Sequence, residues 1–132
     1  MQRKQTNEDS PSSIYTEYFK YTKEYQEKYG KKTIVLMQVG AFFEVYGVRN
    51  SVTGEISGSL IQELAELCQL ATPDKKCTFG SVDKQIIMAG FRDFTIDKYL
   101  LKLTDAGYTI PVFIQEKIGN SVTRKLDRIY SI

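Results

Sequence analysis

Apolar residues recur at helical spacing near the start of the chain. Ser10 and Pro11 fit an N-cap followed by a first helical residue, and Gly30 is typical of the position that follows a helix. The apolar stripe between them consists of Ile14, Tyr18, Tyr21 and Tyr25. This spacing predicts a first helix with an aromatic packing face.

Strand-like segments follow the first helix. Runs of β-branched and other apolar residues predict strands in "KKTIVLMQVG" (31–40), "IIMAG" (86–90), "YTIPVFIQ" (108–115) and "SVTRKLDRIY" (121–130). Pro111 indicates an edge strand or a bulge in the third of these. Residues 47–58 hold three glycines, which predicts a loop or a hairpin, and the polar residues 72–84 predict a loop.

Two more helices lie between the predicted strands. Ser59 and Gln62 have the spacing of a capping box, and Thr95 is a candidate cap for the third helix, which ends before Gly107. The order of elements predicts an α/β domain with a single mixed β-sheet flanked by about three helices. We assign this domain to residues 13–132 and interpret the polar residues 1–12 as a disordered lead-in.

The composition narrows the functional classes. The 132 residues suit one domain, and the net charge of +2 is lower than is usual for a free-standing nucleic-acid binder. There is no histidine, no nucleophile motif and no carboxylate pair at a recognisable spacing, so we expect neither a catalytic site nor a metal site. The spacing of Cys68 and Cys77 fits free thiols in an intracellular protein, and no apolar run is long enough to span a membrane.

The segment "VGAFFEVYG" (39–47) places a carboxylate inside an apolar stretch. If the segment is extended, Phe42 and Glu44 share one face, whereas Phe43 and Val45 share the other and can enter the core. Taken alone, Phe42 fits a core residue and Glu44 fits a solvated carboxylate on a strand edge.

The same segment resembles the "GDFYE-F" motif of the MutS DNA mismatch repair family, and four other segments match that family in the same order. They are "YFKYTKEY" in the first helix, "IIMAG" against "IPMAG", "YLLKLTDAGYTIPVFIQEKIG" against "YL-KL---GY-VAICEQ---", and "TRKLDRIYS" against "-ERKVVRIVT". The resemblance runs from about residue 14 to the end of the chain. It covers the family's N-terminal mismatch-recognition domain.

This resemblance implies a binding function. In the family, the residue corresponding to Phe42 wedges into the minor groove and stacks on a mispaired base, and the residue corresponding to Glu44 hydrogen-bonds that base. The implied partners are double-stranded DNA with mismatches or small loops, other domains of the same chain and, for a full-length protein, a second subunit. A full-length protein would also use ATP and magnesium, but this chain has no phosphate-binding loop motif, so we expect no cofactor within it.

The sequence departs from the family in several places. Ala41 replaces a usual aspartate, "FRDFT" (91–95) stands where many members have "-PYHA", the 47–58 loop is longer, and "ATPDKK" replaces a basic stretch. These changes affect the expected contacts with the DNA backbone more than they affect the central motif that contains Phe42 and Glu44. They suggest a divergent branch such as the viral or organellar members.

Three further residues are candidate DNA contacts. Met88 could line the groove or belong to the core, and Lys75 and Lys76 could contact phosphates or lie in a solvated loop. The alternative function is a structural or protein-docking module of the same fold that no longer reads DNA. The presence of both Phe42 and Glu44 favours the DNA-reading function.

Overall fold

The computed structural model describes the backbone of residues 9–132, and the side chains from residue 14 onward except that of Lys76. The elements, in chain order, are α1 (Asp9–Tyr29), β1 (Leu36–Val39), β2 (Phe42–Asn50), β3 (Ile56–Ser57), α2 (Ile61–Cys68), β4 (Asp74–Phe79), β5 (Ser81–Arg92), a short 3₁₀ turn (Asp93–Thr95), α3 (Ile96–Asp105), β6 (Ile110–Ile118) and β7 (Ser121–Tyr130). Of the expected lead-in, residues 1–8 lie outside the described residues. Its remaining residues, 9–12, belong to α1.

Residues 9–132 build one mixed sheet of seven strands. Six strands follow the order β4-β5-β2-β1-β6-β7, and β3 pairs with β2. β1 runs parallel to β6, whereas the other pairings among these strands are antiparallel. The predicted fold class, a single mixed sheet with three helices, is confirmed.

Helix α1 packs on one face of the sheet through the predicted tyrosine stripe. The Tyr18 side chain is fully buried, and its ring meets that of Tyr46 edge-on with 5.4 Å between centroids. Tyr21 stacks on Phe113 of β6 at 4.1 Å. The helix therefore crosses from β2 toward β6, and it buries its aromatic residues against alternate positions of these strands.

Helices α2 and α3 pack on the opposite face. Gly47 follows Tyr46 on β2, so a side chain at position 47 would point away from α1. A Cβ at this position would lie 2.6 Å from Cγ2 of Ile61 in α2. Only a glycine lets α2 approach the strand this closely. On the same face Phe91 of β5 stacks on Tyr99 of α3 at 4.2 Å. The core thus has two layers, one on each side of the sheet.

The expected loop at 72–84 is wrong, because these residues form β4 and the first part of β5. Their pairing is irregular between Asp74 and Thr78, and the side-chain amide of Gln85 donates to the carbonyl oxygens of Lys75 and Cys77. Residues 47–58 form a hairpin, as one of the two expectations held. Pro111 lies in the interior strand β6, immediately before a register shift between Val112 and Phe113, so the bulge interpretation is the correct one.

Candidate nucleic-acid interface

Phe42 begins β2 at one end of the sheet, and its side chain is 39% exposed. It pairs across the sheet with Arg92, the last residue of β5. The guanidinium carbon of Arg92 lies 5.3 Å from the centre of the Phe42 ring, within the range of a cation–π contact. An accessible aromatic ring therefore lies beside an exposed positive charge.

The turn that precedes Phe42 is held from both sides. Gly40 adopts the left-handed region with φ +61°. Its N–H donates to Oε1 of Gln115 at 2.8 Å, and Nε2 of Gln115 donates back to the Gly40 carbonyl at 3.3 Å. On the other side the N–H of Asp93 donates to the Ala41 carbonyl at 2.8 Å. These three hydrogen bonds hold the backbone of the turn in place. They therefore fix the position of Phe42 at the start of β2.

Further polar residues lie at the same end of the sheet as Phe42. Val39 of β1 pairs with Phe42, and Gln115 of β6, whose side chain bonds to Gly40 in the turn before Phe42, pairs with Arg124 of β7. Nε of Arg124 donates to the carbonyl oxygen of Gln38 at 2.7 Å. Cross-strand partners share a face, so Arg92 lies on the face of Phe42, and Arg124 lies on the face of Gln115, its partner on β6.

Phe94 is a second exposed aromatic at this end of the sheet. It lies in the 3₁₀ turn that follows Arg92, and its side chain is 78% exposed. The bond from Asp93 to Ala41 places this turn directly beside the turn that carries Phe42. Phe94 belongs to the segment "FRDFT", which differs from the corresponding segment of the MutS family. It was not among the residues predicted to contact DNA.

Glu44 lies on the same face as Phe42, as the alternation predicts, but it is 8% exposed. The solvated strand-edge carboxylate expected from the residue alone is therefore wrong. Its Oε1 accepts a hydrogen bond from the hydroxyl of Tyr46, which offsets part of the cost of burying a carboxylate. Burial, followed by the hydrogen bond and negative charge of Glu44, raises the pKa of Tyr46 well above the usual tyrosine value. The tyrosine consequently remains protonated and remains the donor.

The other face of β2 belongs to the core. Phe43 is 5% exposed and tilts against Phe91 with 6.1 Å between ring centroids, and Val45 is also buried. The two neighbouring phenylalanines of the segment therefore have different environments. The core assignment fits Phe43, whereas the ring of Phe42 is left at the surface.

Met88 is partly buried and lies on the Phe42 face, because it pairs with Tyr46 on β2. Its sulfur would lie 3.3 Å from a Cβ at Gly90, the residue that pairs with Glu44. Met88 thus lies farther along the sheet from Phe42 than Glu44 does. It is near enough to shape the environment of Glu44.

Lys75 and Lys76 lie on β4, at a sheet edge away from Phe42. Asp74, next to Lys75, pairs with Ile87, which precedes Arg92 by five residues. At about 3.4 Å per residue this is about 17 Å along the strand from the Phe42 row. The structure does not bring Lys75 together with Phe42, and the side chain of Lys76 lies outside the described residues.

The part of the chain that the structure describes offers little evidence of other chemistry. Its cysteine and acidic side chains form no group of three or more that could hold a metal ion. Among residues 9–132 no helix has both the length and the apolar character needed to span a membrane. The exposed row around Phe42 is therefore the site with the most distinctive chemistry.

The chain is similar in sequence to a viral protein whose name assigns it to a family. No family model matches it. It is 30% identical over 126 residues to a protein of Acanthamoeba polyphaga mimivirus that is named as a DNA mismatch repair protein, mutS homolog L359. The aligned residues cover 96% of this chain and 11% of the mimivirus protein. This similarity supports a relationship of the chain to MutS-type proteins.

Proposed function

We propose that this chain recognises mispaired bases in double-stranded DNA, with Phe42 as a wedge in the minor groove and Glu44 as the residue that hydrogen-bonds the displaced base. The exposure of Phe42 is the observation that carries the proposal. Phenylalanine side chains are usually buried, yet this ring is 39% exposed on a turn held by three hydrogen bonds. The relative named as a DNA mismatch repair protein supports DNA as the partner.

The energetics of a wedge favour mispaired sites. Inserting an apolar side chain costs about a few kcal/mol of unstacking per step. Stacking of a base on an aromatic ring stabilises the complex by about 1–3 kcal/mol. At a well-stacked matched base pair this gain is similar to the unstacking cost. A mispaired base is already held poorly, so the same gain exceeds a smaller cost. Selectivity then comes from the deformability of the duplex, and mismatches and small loops are the substrates.

The charged residues at this end of the sheet have two opposite effects on DNA binding. Arg92 is exposed and Arg124 is partly buried, and each adds attraction for phosphates to a chain whose net charge is only +2. Glu44 opposes them, because its carboxylate repels phosphates unless it gains a hydrogen bond from a base. Glu44 thereby penalises ordinary duplex more than mispaired duplex.

The alternative function is a protein-docking module of the same fold. Such a module would use the exposed Phe42 and Phe94 as an apolar contact for a protein, and it would bind matched and mismatched DNA alike or not at all. The contact between Phe42 and the guanidinium of Arg92 favours the DNA proposal, since it puts a positive charge, which attracts phosphates, beside the exposed ring. DNA titrations separate the two functions.

The test is competition binding of the full-length protein to a duplex with one mismatch and to its matched counterpart at one fixed salt concentration. Phe42→Ala should weaken heteroduplex binding by about 1–3 kcal/mol, or about five- to 150-fold, and should affect matched duplex little. The control is Tyr29→Ala, which removes a ring of similar exposure, 42%, at the far end of α1. Unchanged discrimination in Phe42→Ala would contradict the proposal.

A further inference from the structure

Phe94 is an aromatic residue that the proposed wedge does not use. Its side chain is 78% exposed, against 39% for Phe42. Phenylalanine is among the residue types that are most often buried, and an exposed phenyl ring leaves a large apolar area in contact with water. Such a ring next to a proposed binding site is a candidate for a second contact with the same partner.

The short 3₁₀ turn that carries Phe94 is held on both sides. The N–H of Asp93 donates to the carbonyl oxygen of Ala41 at 2.8 Å. The hydroxyl of Thr95 donates to the carbonyl oxygen of Arg92 at 2.6 Å, and helix α3, which packs on the sheet, follows directly. The backbone around Phe94 is therefore ordered before any partner binds, so little conformational entropy is lost when the ring makes a contact.

Phe94 lies close to Phe42 along a short path through Arg92. Arg92 is the cross-strand partner of Phe42, and Phe94 follows it by two residues. Antiparallel partners have Cα atoms about 4.5–5.5 Å apart, and two residues of chain span at most about 7 Å. The Cα atoms of the two phenylalanines are therefore within about 12 Å of each other, the length of three to four stacked bases at about 3.4 Å per base.

The charges around the Phe94 ring favour a base as its partner over a phosphate. Asp93 precedes Phe94 and is partly exposed, and Asp97, three residues after Phe94, is exposed. Residues three apart in a helical segment are neighbours on its surface. Carboxylates repel phosphates, and a phenyl ring offers no hydrogen-bond donor to a phosphate oxygen. The flat face of an uncharged base can stack on the ring without this repulsion.

We propose that Phe94 is a second stacking residue, which receives one base of an unpaired loop while Phe42 enters the duplex beside the loop. The inference rests on the proposed function and narrows its substrate class, since it makes loops of two or three unpaired nucleotides better ligands than a single mispair. The guanidinium of Arg92, 5.3 Å from the centre of the Phe42 ring, attracts the phosphates that link the loop nucleotides.

The preference for loops follows from the number of free bases. Both bases of a single mispair still have a place in the helix, and turning one of them outward costs unstacking energy. A loop of two or three nucleotides has bases with no partner in the helix, so turning one of them onto Phe94 costs less. The spacing of about 12 Å between the phenylalanines is within the reach of such a loop.

The test is competition binding of the full-length protein, at one fixed salt concentration, to duplexes with identical flanks. The duplexes are matched, or carry one G·T mispair, or carry a loop of two or three unpaired thymidines. We expect the wild-type protein to bind the two loops more tightly than the mispair. Phe94→Ala should weaken binding to both loops about five- to 150-fold, the value of one base–aromatic stack, and should leave binding to the mispair and to matched duplex unchanged.

Three controls identify the contact as stacking. Phe94→Tyr keeps the ring and should keep the wild-type preference. A loop of abasic nucleotides keeps the backbone but offers no base, so Phe94→Ala should bind it as tightly as the wild-type protein does. Val82→Ala removes an apolar side chain that is 88% exposed at the far end of β5, and it should behave as wild type on every duplex.

Three results would overturn the inference. The first is Phe94→Ala protein that binds the loops as tightly as wild type. The second is a loss of the same size on the mispair or on matched duplex, and the third is a loss that persists on the abasic loop. All three leave the proposed function in place as long as the wild-type protein prefers mispaired over matched duplex. Wild-type protein without that preference would overturn the proposed function, and the inference with it.

Discussion

Replacing Phe43 with alanine should destabilise the fold far more than replacing its neighbour Phe42. The Phe43 side chain is 5% exposed and lies against Phe91, which stacks in turn on Tyr99 of α3. Its removal loses the buried area of an aromatic ring and leaves an enclosed cavity that the neighbouring residues fill only partly. We expect the free energy of unfolding to fall by about 3–5 kcal/mol.

Phe42→Ala should cost less, because the ring is 39% exposed at the end of the sheet. Only part of its area is withdrawn from water, and its removal opens onto solvent and leaves no enclosed cavity. At about 25 cal/mol per Å² of buried apolar area, the loss is about 1–2 kcal/mol.

Urea denaturation followed by circular dichroism measures both variants, and the chain has no tryptophan to report on unfolding. The midpoints should shift in the order wild type, Phe42→Ala, Phe43→Ala, with an unchanged slope of free energy against urea. If Phe42→Ala proves as destabilising as Phe43→Ala, the two faces of β2 have been assigned wrongly. The wedge proposal would then lose its structural basis.

Three other predictions concern the turn, the carboxylate and pH. Gln115→Ala removes both bonds to Gly40 and should reduce mismatch discrimination at a stability cost of about 1 kcal/mol; discrimination retained in competition titrations would contradict this. Glu44→Gln should tighten binding to matched duplex, because it removes a charge that phosphates repel; unchanged or weaker matched binding in the same titrations would contradict it. Burial raises the pKa of Tyr18 and Tyr46, so their stabilising contribution is complete below the unfolded pKa of about 10 and is lost as pH rises above it. Urea denaturation across this range should show stability falling by at most about 1.4 kcal/mol per pH unit for each tyrosine, with a smaller fall in Tyr46→Phe; stability independent of alkaline pH would refute the burial argument.

Local periodicity predicted the parts of the fold that it directly determines. The predicted stripe of α1 packs on the core, with Tyr18 fully buried and its other members partly buried, and the alternating Phe43 and Val45 are both buried. The hairpin of β4 and β5 was missed, because its polar composition resembles a loop. It forms because β4 pairs with a long neighbouring strand and because the Gln85 amide satisfies carbonyl groups where the pairing is irregular.

The candidate site was only partly predictable for a related reason. The shared face of Phe42 and Glu44 follows from the two-residue period of a strand. The burial of Glu44 depends on Tyr46 and on the packing of α1, which a local pattern does not contain. Gln115 lies 75 residues from Gly40 in sequence, and their contact arises only from the parallel pairing of β1 and β6.

The most direct test of the central claim is the fluorescence of 2-aminopurine placed next to a mispaired base. Stacking quenches this base analogue, and a wedge that opens the stack should raise its fluorescence. With saturating full-length protein we expect a large rise on mismatched duplex, little change on matched duplex, and loss of the rise in Phe42→Ala. An equal rise with Phe42→Ala, or an equal rise on matched duplex, would contradict the account.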